Sequence, residues 1–201
     1  MKKLLIPIAF FVSNSLMAEE NEVQNVFRYD EGQGWFMSVG YTGIDSETAF
    51  WEGIGDSGTS LKLGYGGHTN NFVYGFGMSW IMLSDKNSFS QTVQDNFGNT
   101  STKSSSADAF GGFGELGYSY VFDSGNTSFD LLGGFEFVRA ERTIANCSNC
   151  LSENINLDSG LYVLSRFTFF NQSGSAFSLG YQKYMTGDFT GGIDFRYTMT
   201  Y

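Results

Sequence analysis

Apolar and polar side chains alternate one for one over the last nine residues: Ile193, Phe195, Tyr197, Met199 and Tyr201 are separated by Asp194, Arg196, Thr198 and Thr200. A period of two marks a β-strand with one apolar face. Seven earlier segments share it. Near 34–44, Trp35, Met37, Val39 and Tyr41 oppose Phe36, Ser38, Gly40 and Thr42. Near 58–66, Leu61, Leu63 and Tyr65 oppose Ser60, Lys62, Gly64 and Gly66. Near 72–83 the alternation is plainest, with Phe72, Tyr74, Phe76, Met78, Trp80 and Met82 set against Val73, Gly75, Gly77, Ser79 and Ile81. Further strands are expected near 108–122, 128–140, 160–170 and 175–185. The segment near 160–170 is apolar on both faces, so its pattern defines its orientation least.

Connection lengths set the topology. Short turns at 67–71, 123–127 and 171–174 follow the second, fourth and sixth strands, and longer loops at 45–57, 84–107 and 141–159 follow the first, third and fifth. Only the last hairpin, at 186–190, breaks this rhythm. Short turns on one side and long loops on the other, around an even strand count, predict an all-β, eight-stranded antiparallel transmembrane β-barrel. Strand lengths agree, because ~9–11 tilted residues cross a bilayer. One face of each strand is aromatic and aliphatic, the other rich in glycine and serine. Eight strands enclose room for side chains and little else, so the small residues belong inside and the apolar face meets lipid. On this reading Trp35, Phe72, Tyr120, Phe177 and Tyr201 form an aromatic girdle at one rim, and Tyr41, Trp80 and Phe110 one at the other.

Composition sharpens this picture. The only proline is Pro7, which leaves backbone donors free for ladders, and aromatics reach 17%. Lys2 and Lys3, the apolar run Leu4 to Val12 and the small Ala18 have the layout of a secretory signal, although Leu16 is an unusual residue before the cut. The expected organisation is a signal peptide at 1–18, a short periplasmic extension at 19–33 and the barrel at 34–201. Losing Lys2 and Lys3 would take the formal charge from −10 to −12, which argues against nucleic acid as a partner. No cofactor is expected.

With eight strands, long outer loops and an aromatic C-terminus, the chain resembles the small outer-membrane barrels typified by the OmpA membrane domain and the OmpX/Ail group. The likeness covers roughly 34–201 and lies in pattern, with no diagnostic peptide. It implies a monomer in the outer membrane of a Gram-negative bacterium, inserted by the barrel assembly machinery. By the same analogy Phe195, Tyr197, Met199 and Tyr201 form the signal which that machinery reads, as well as facing lipid.

Several residues carry candidate chemistry. Lys62, Glu115, Glu136, Arg166 and Arg196, with Gln182 beside them, fall on the inward face near mid-strand. Buried charge is costly unless paired, so an ion-pair network crossing and plugging the lumen is expected. The alternative is a narrow, porin-like channel for ions or minor solutes, lined by the same groups. Lys86, Arg139 and Lys183, placed just past the outer ends of rising strands, are candidate contacts for lipopolysaccharide phosphates; the plainer reading is solvated or snorkelling cations. Cys147 and Cys150 form a lone CxxC. Redox activity or zinc binding would each need partners the chain lacks, and a disulfide stiffening the third outer loop fits an oxidising compartment better. The acidic first loop (Asp45, Glu47, Glu52, Asp56) has no calcium-loop spacing and reads as solvated. The single histidine, His68, is expected in a periplasmic turn, away from the outer leaflet where barrel enzymes work on lipid. A non-enzymatic protein that presents its outer loops for surface interaction, adhesion or envelope integrity is the expected function.

Overall fold

The computed structural model describes residues 31–94, 99–122, 126–144, 150–171 and 174–200. Eight long strands form the barrel wall: β1 (Glu31–Ile44), β2 (Ile54–Thr69), β3 (Phe72–Asp85), β6 (Ser106–Val121), β7 (Thr127–Thr143), β9 (Gly160–Phe170), β10 (Ser175–Tyr184) and β11 (Phe189–Thr200). Each pairs antiparallel with its neighbours, β1 with β11, and β6 with β7 to complete the ring. The outer loops carry the remaining elements. Helix α1 (Ser46–Trp51) lies in the first, the hairpin β4 (Ser90–Gln94) and β5 (Thr100–Ser104) in the second, and β8 (Glu153–Ile155) beside β7 in the third.

The register fixes the shape of the barrel. Paired residues lead from Phe129 through Phe167, Leu179, Phe195, Val39, Leu61, Trp80 and Phe110 back to β7 at Arg139, ten residues further along the strand. A stagger of ten over eight strands tilts them by about 40° and gives about 2.5 Å of rise along the axis per residue. On that scale Trp35, Phe72, Tyr120 and Phe177 lie about 20 Å below Tyr41, Trp80 and Phe110, close to the height of a bilayer's apolar band.

Burial follows the alternation on every wall strand. Phe76, Met78, Leu116, Leu131, Phe167 and Leu179 are exposed, whereas Ser38, Ser60, Ser79, Ser119, Ser128 and Ser178 are buried. This is the polar-in, apolar-out arrangement of a transmembrane barrel, including β9, whose sequence was ambiguous. Several large inward residues are faced by a glycine. The Phe36 ring fills the place of a side chain at Gly64, where a Cβ would stand 2.5 Å from its tip.

The strands run longer than the sequence suggested. β1 begins at Glu31 and β2 continues to Thr69, so the turn between β2 and β3 shrinks to Asn70 and Asn71, with Asn70 in the left-handed region (φ 55°) that asparagine tolerates. β3 and β7 extend past the expected membrane level to Asp85 and Thr143, and their outer ends hold the loops in place.

Candidate functional site

The candidate site is the lumen together with the roof over its outer mouth. In the lower lumen Glu115, on β6, is the hub. Its Oε1 accepts from Arg196 Nη1 at 2.6 Å and from Arg166 Nη1 at 3.1 Å. Arg166 Nε also donates to Asp130 at 2.9 Å, and Asp130 accepts from Ser119 (2.6 Å), Ser128 (3.0 Å) and Thr168 (3.3 Å). His68 Nε2 stands 3.8 Å from Asp130. The Arg196 guanidinium stacks 4.0 Å over the Phe36 ring, which desolvates it on one face.

A second tier lies about one helical turn's height further out. Lys62 Nζ donates to Glu136 at 2.8 Å and to Gln182 at 3.3 Å, and is flanked by the rings of Phe113 and Tyr162. Tyr184 donates to Glu136 and accepts from Gln182, so every member of this tier is held by another. Asp194 stands between the tiers. Its carboxylate lies over Gly180, where a Cβ would meet Oδ1 at 2.3 Å, and its closest cationic atom is Arg196 Nε at 3.9 Å. The lumen thus holds four buried carboxylates, Glu115, Asp130, Glu136 and Asp194, against the cations Lys62, Arg166 and Arg196.

Above Tyr184 the filling becomes apolar. Ile44, Ala49, Ile81, Leu83, Ile155 and Phe189 pack together at the outer end, and α1 is laid across them with Ala49 buried. Arg142, on β7, clamps the roof from the opposite wall. It donates to Asp85 (2.7 Å), to Glu153 (2.6 Å) and to the carbonyl oxygens of Glu52 (2.9 Å) and Gly53 (3.2 Å). Asp45 caps α1 by accepting from the amides of Glu47 and Thr48, and Thr48 donates to Asp188 at 2.8 Å. At the other end of the barrel a small cavity is lined by His68, Arg166, Arg196, Thr168 and Ser178.

All six residues expected in the lumen lie on its inner wall, and the structure joins them as two groups: Glu115, Arg166 and Arg196 in one, Lys62, Glu136 and Gln182 in the other. Sequence reasoning left out Asp130 and Asp194. Both lie on inward parity, and a count of charge by face would have found them. Arg142 was hidden by its assignment to a loop. His68, expected in a turn, is the inward-facing penultimate residue of β2. The three outer cations do not form one set. Arg139 and Lys183 lie within β7 and β10 instead of past their ends, and only Lys86 lies beyond its strand. Lys183 is about 9 Å lower than Arg139, near the upper edge of the apolar band, with its stem against Gly191. Phe195 is exposed on β11 with Met199, while Tyr197 is half-buried against Phe177. Tyr201, Cys147 and the expected signal lie outside the described residues, and with Cys147 so does the expected pairing to Cys150.

The barrel has counterparts among solved structures. Neisserial surface protein A (NspA) superposes with a TM-score of 0.54 at 10% identity, over 85% of this chain and 97% of that one. The chain has the fold of the small eight-stranded outer-membrane barrels. Ail, the attachment invasion locus protein of Yersinia pestis, aligns over 85% of this chain and 97% of its own at 10% identity, with a TM-score of 0.47. No family model matches the sequence, and no curated protein matches it.

Proposed function

We propose that this chain is a closed outer-membrane barrel of a Gram-negative bacterium that presents its roofed outer face for surface interaction, adhesion or envelope integrity. The observation that carries the reading is the double closure of the lumen. Among the described residues, two tiers of paired charge and an apolar cap fill the lumen, with the described parts of the loops braced above them. NspA is called a surface protein, and Ail an attachment invasion locus protein, which is consistent with such a role. In this reading the chain is a monomer and not an enzyme, with its leader removed at export. Phe195, Tyr197, Met199 and Tyr201 are its signal to the assembly machinery. Arg139 and Lys86 meet lipopolysaccharide phosphates at the outer rim, and Lys183 snorkels up to them. Cys147 and Cys150 close the third loop.

The test uses full-length protein from the outer-membrane fraction, run on gels with and without boiling and then reconstituted in planar bilayers. The proposal expects a heat-shifted band and no channel steps. Absence from the membrane fraction would remove the localisation, and regular conductance steps would favour the second reading, a small ion channel. That alternative draws support from the cavity at the inner end. Glu115→Gln with Glu136→Gln separates the two: a plug loses stability or begins to leak, whereas a pore changes its ion preference and stays folded.

A further inference from the structure

Phe50 and Trp51 are the most exposed large apolar side chains in the described part of the molecule, at 75% and 73%. Their rings meet edge to face, 5.6 Å between centroids. They do not belong to the lipid belt. The carbonyls just after them reach Arg142 on the far wall, so α1 spans the mouth instead of leaning outward from it. Nor are they carried on a loose loop. The Asp45 cap, the bond from Thr48 to Asp188 and the one from the Asn156 amide to Glu52 (3.0 Å) hold the helix on three sides. An aromatic pair fixed in place and left in water has the character of a binding anchor, because its ordering cost is met before any partner arrives.

What surrounds the anchor identifies its occupant. Trp51 forms one wall of a crevice of about 310 Å³, whose other walls carry Asp45, Glu47, Glu52, Asp158 and Asp188 and no lysine or arginine. These carboxylates are spread along the crevice. Among the described residues no three or more acidic, histidine or cysteine side chains are grouped to hold a metal ion. Asp45, Asp188 and Glu52 are already engaged in bracing the roof, which leaves Glu47 and Asp158 to face a ligand. Separated negative charges beside a flat indole match a chain of separated positive charges. A guanidinium or ammonium group can stack on the ring while its neighbours pair with the carboxylates.

We propose that the exposed Phe50–Trp51 face of α1 is the docking surface for a basic polypeptide segment, with an arginine or lysine side chain stacked on Trp51. This rests on the reading of the outer face as an interaction surface and names its partner class. A sulfated or phosphorylated glycan does not fit, since the same carboxylates repel it.

The test uses the full-length protein in nanodiscs with a hexa-arginine peptide as probe, followed by calorimetry. Expected is saturable binding that weakens with salt, falls tenfold or more in Trp51→Leu and in Glu47→Gln/Asp158→Asn, and is largely retained in Trp51→Phe. The control Asp56→Asn/Glu141→Gln removes equal charge outside the crevice and should change binding less than twofold. Equal loss in the control would reduce the effect to net charge and overturn the proposal. So would unchanged binding in Trp51→Leu, or binding of a heparin fragment in place of the peptide. A parallel assay of whole cells on a host-cell layer keeps the two readings apart. Adhesion lost on deleting 90–104 but indifferent to Trp51→Leu would overturn this inference alone. Adhesion and envelope integrity indifferent to every loop change would remove the surface role itself.

Discussion

From Lys62 down to the inner rim the lumen is filled mainly by charges that hold one another, and above Tyr184 it is filled by hydrocarbon under a helical roof. The two halves close the same tube by different physics. In the lower half each group is stable only because its partner is present, so loss of one strands another in a low-dielectric interior. In the upper half Ile44, Ile81, Leu83 and Phe189 contribute by area, and single losses leave the rest in place. Arg142 is the exception there, a single cation that gathers two acids and two carbonyls and ties the loops to the wall. A charged plug is therefore unforgiving and a greasy one is tolerant. That contrast can be broken by mutation.

The largest effect is expected in the lower half. Glu115→Gln leaves Arg166 and Arg196 without their shared negative charge and should cost about 3–5 kcal/mol, as for other broken buried pairs. It would be read as a lower midpoint in the heat-shift gel; a change under 1 kcal/mol would mean that water already carries the load. Next comes Arg142→Met. It should loosen α1 without unfolding the wall, raising hydrogen exchange at the Ala49 and Glu52 amides while the β3 and β6 amides stay protected. Global unfolding instead would show that roof and wall form one unit. Tyr184→Phe removes one donor to the buried Glu136 carboxylate and should cost about 1.5–3 kcal/mol, with Lys62 still in place. The smallest effect belongs to the lipid face. A Cβ at Gly114 meets nothing within 4 Å, so Gly114→Ala should stay within about 0.5 kcal/mol. Gly77→Ala, whose Cβ would stand 2.1 Å from the Leu63 carbonyl oxygen, should cost clearly more in the same assay.

The strands were legible because burial in a barrel wall alternates residue by residue, and the side chains were chosen to match. Even β9, apolar on both faces, fell into line, since Tyr162 and Leu164 are buried in the middle of the lumen while Leu161 and Val163 meet lipid. The inward residues could be named for the same reason. Their pairing could not, because it depends on the ten-residue stagger, which brings Lys62 of β2 to Glu136 of β7 across the lumen. The roof was illegible for a different reason. α1 is six residues long, too short for a periodic signal, and beyond its local Asp45 cap it is held by Asp188 and Arg142, which meet it from distant parts of the chain.

The most direct test places the three tryptophans. Single-tryptophan variants that keep Trp35, Trp51 or Trp80 alone, reconstituted in bilayers of brominated lipid, report which indoles touch acyl chains. Strong quenching is expected of Trp35 and Trp80, which lie in the two girdles, and none of Trp51, which stands in water over the mouth. Quenching of Trp51 to the level of the other two would put α1 in the membrane, and unquenched Trp35 and Trp80 would contradict the outward-facing apolar belt itself.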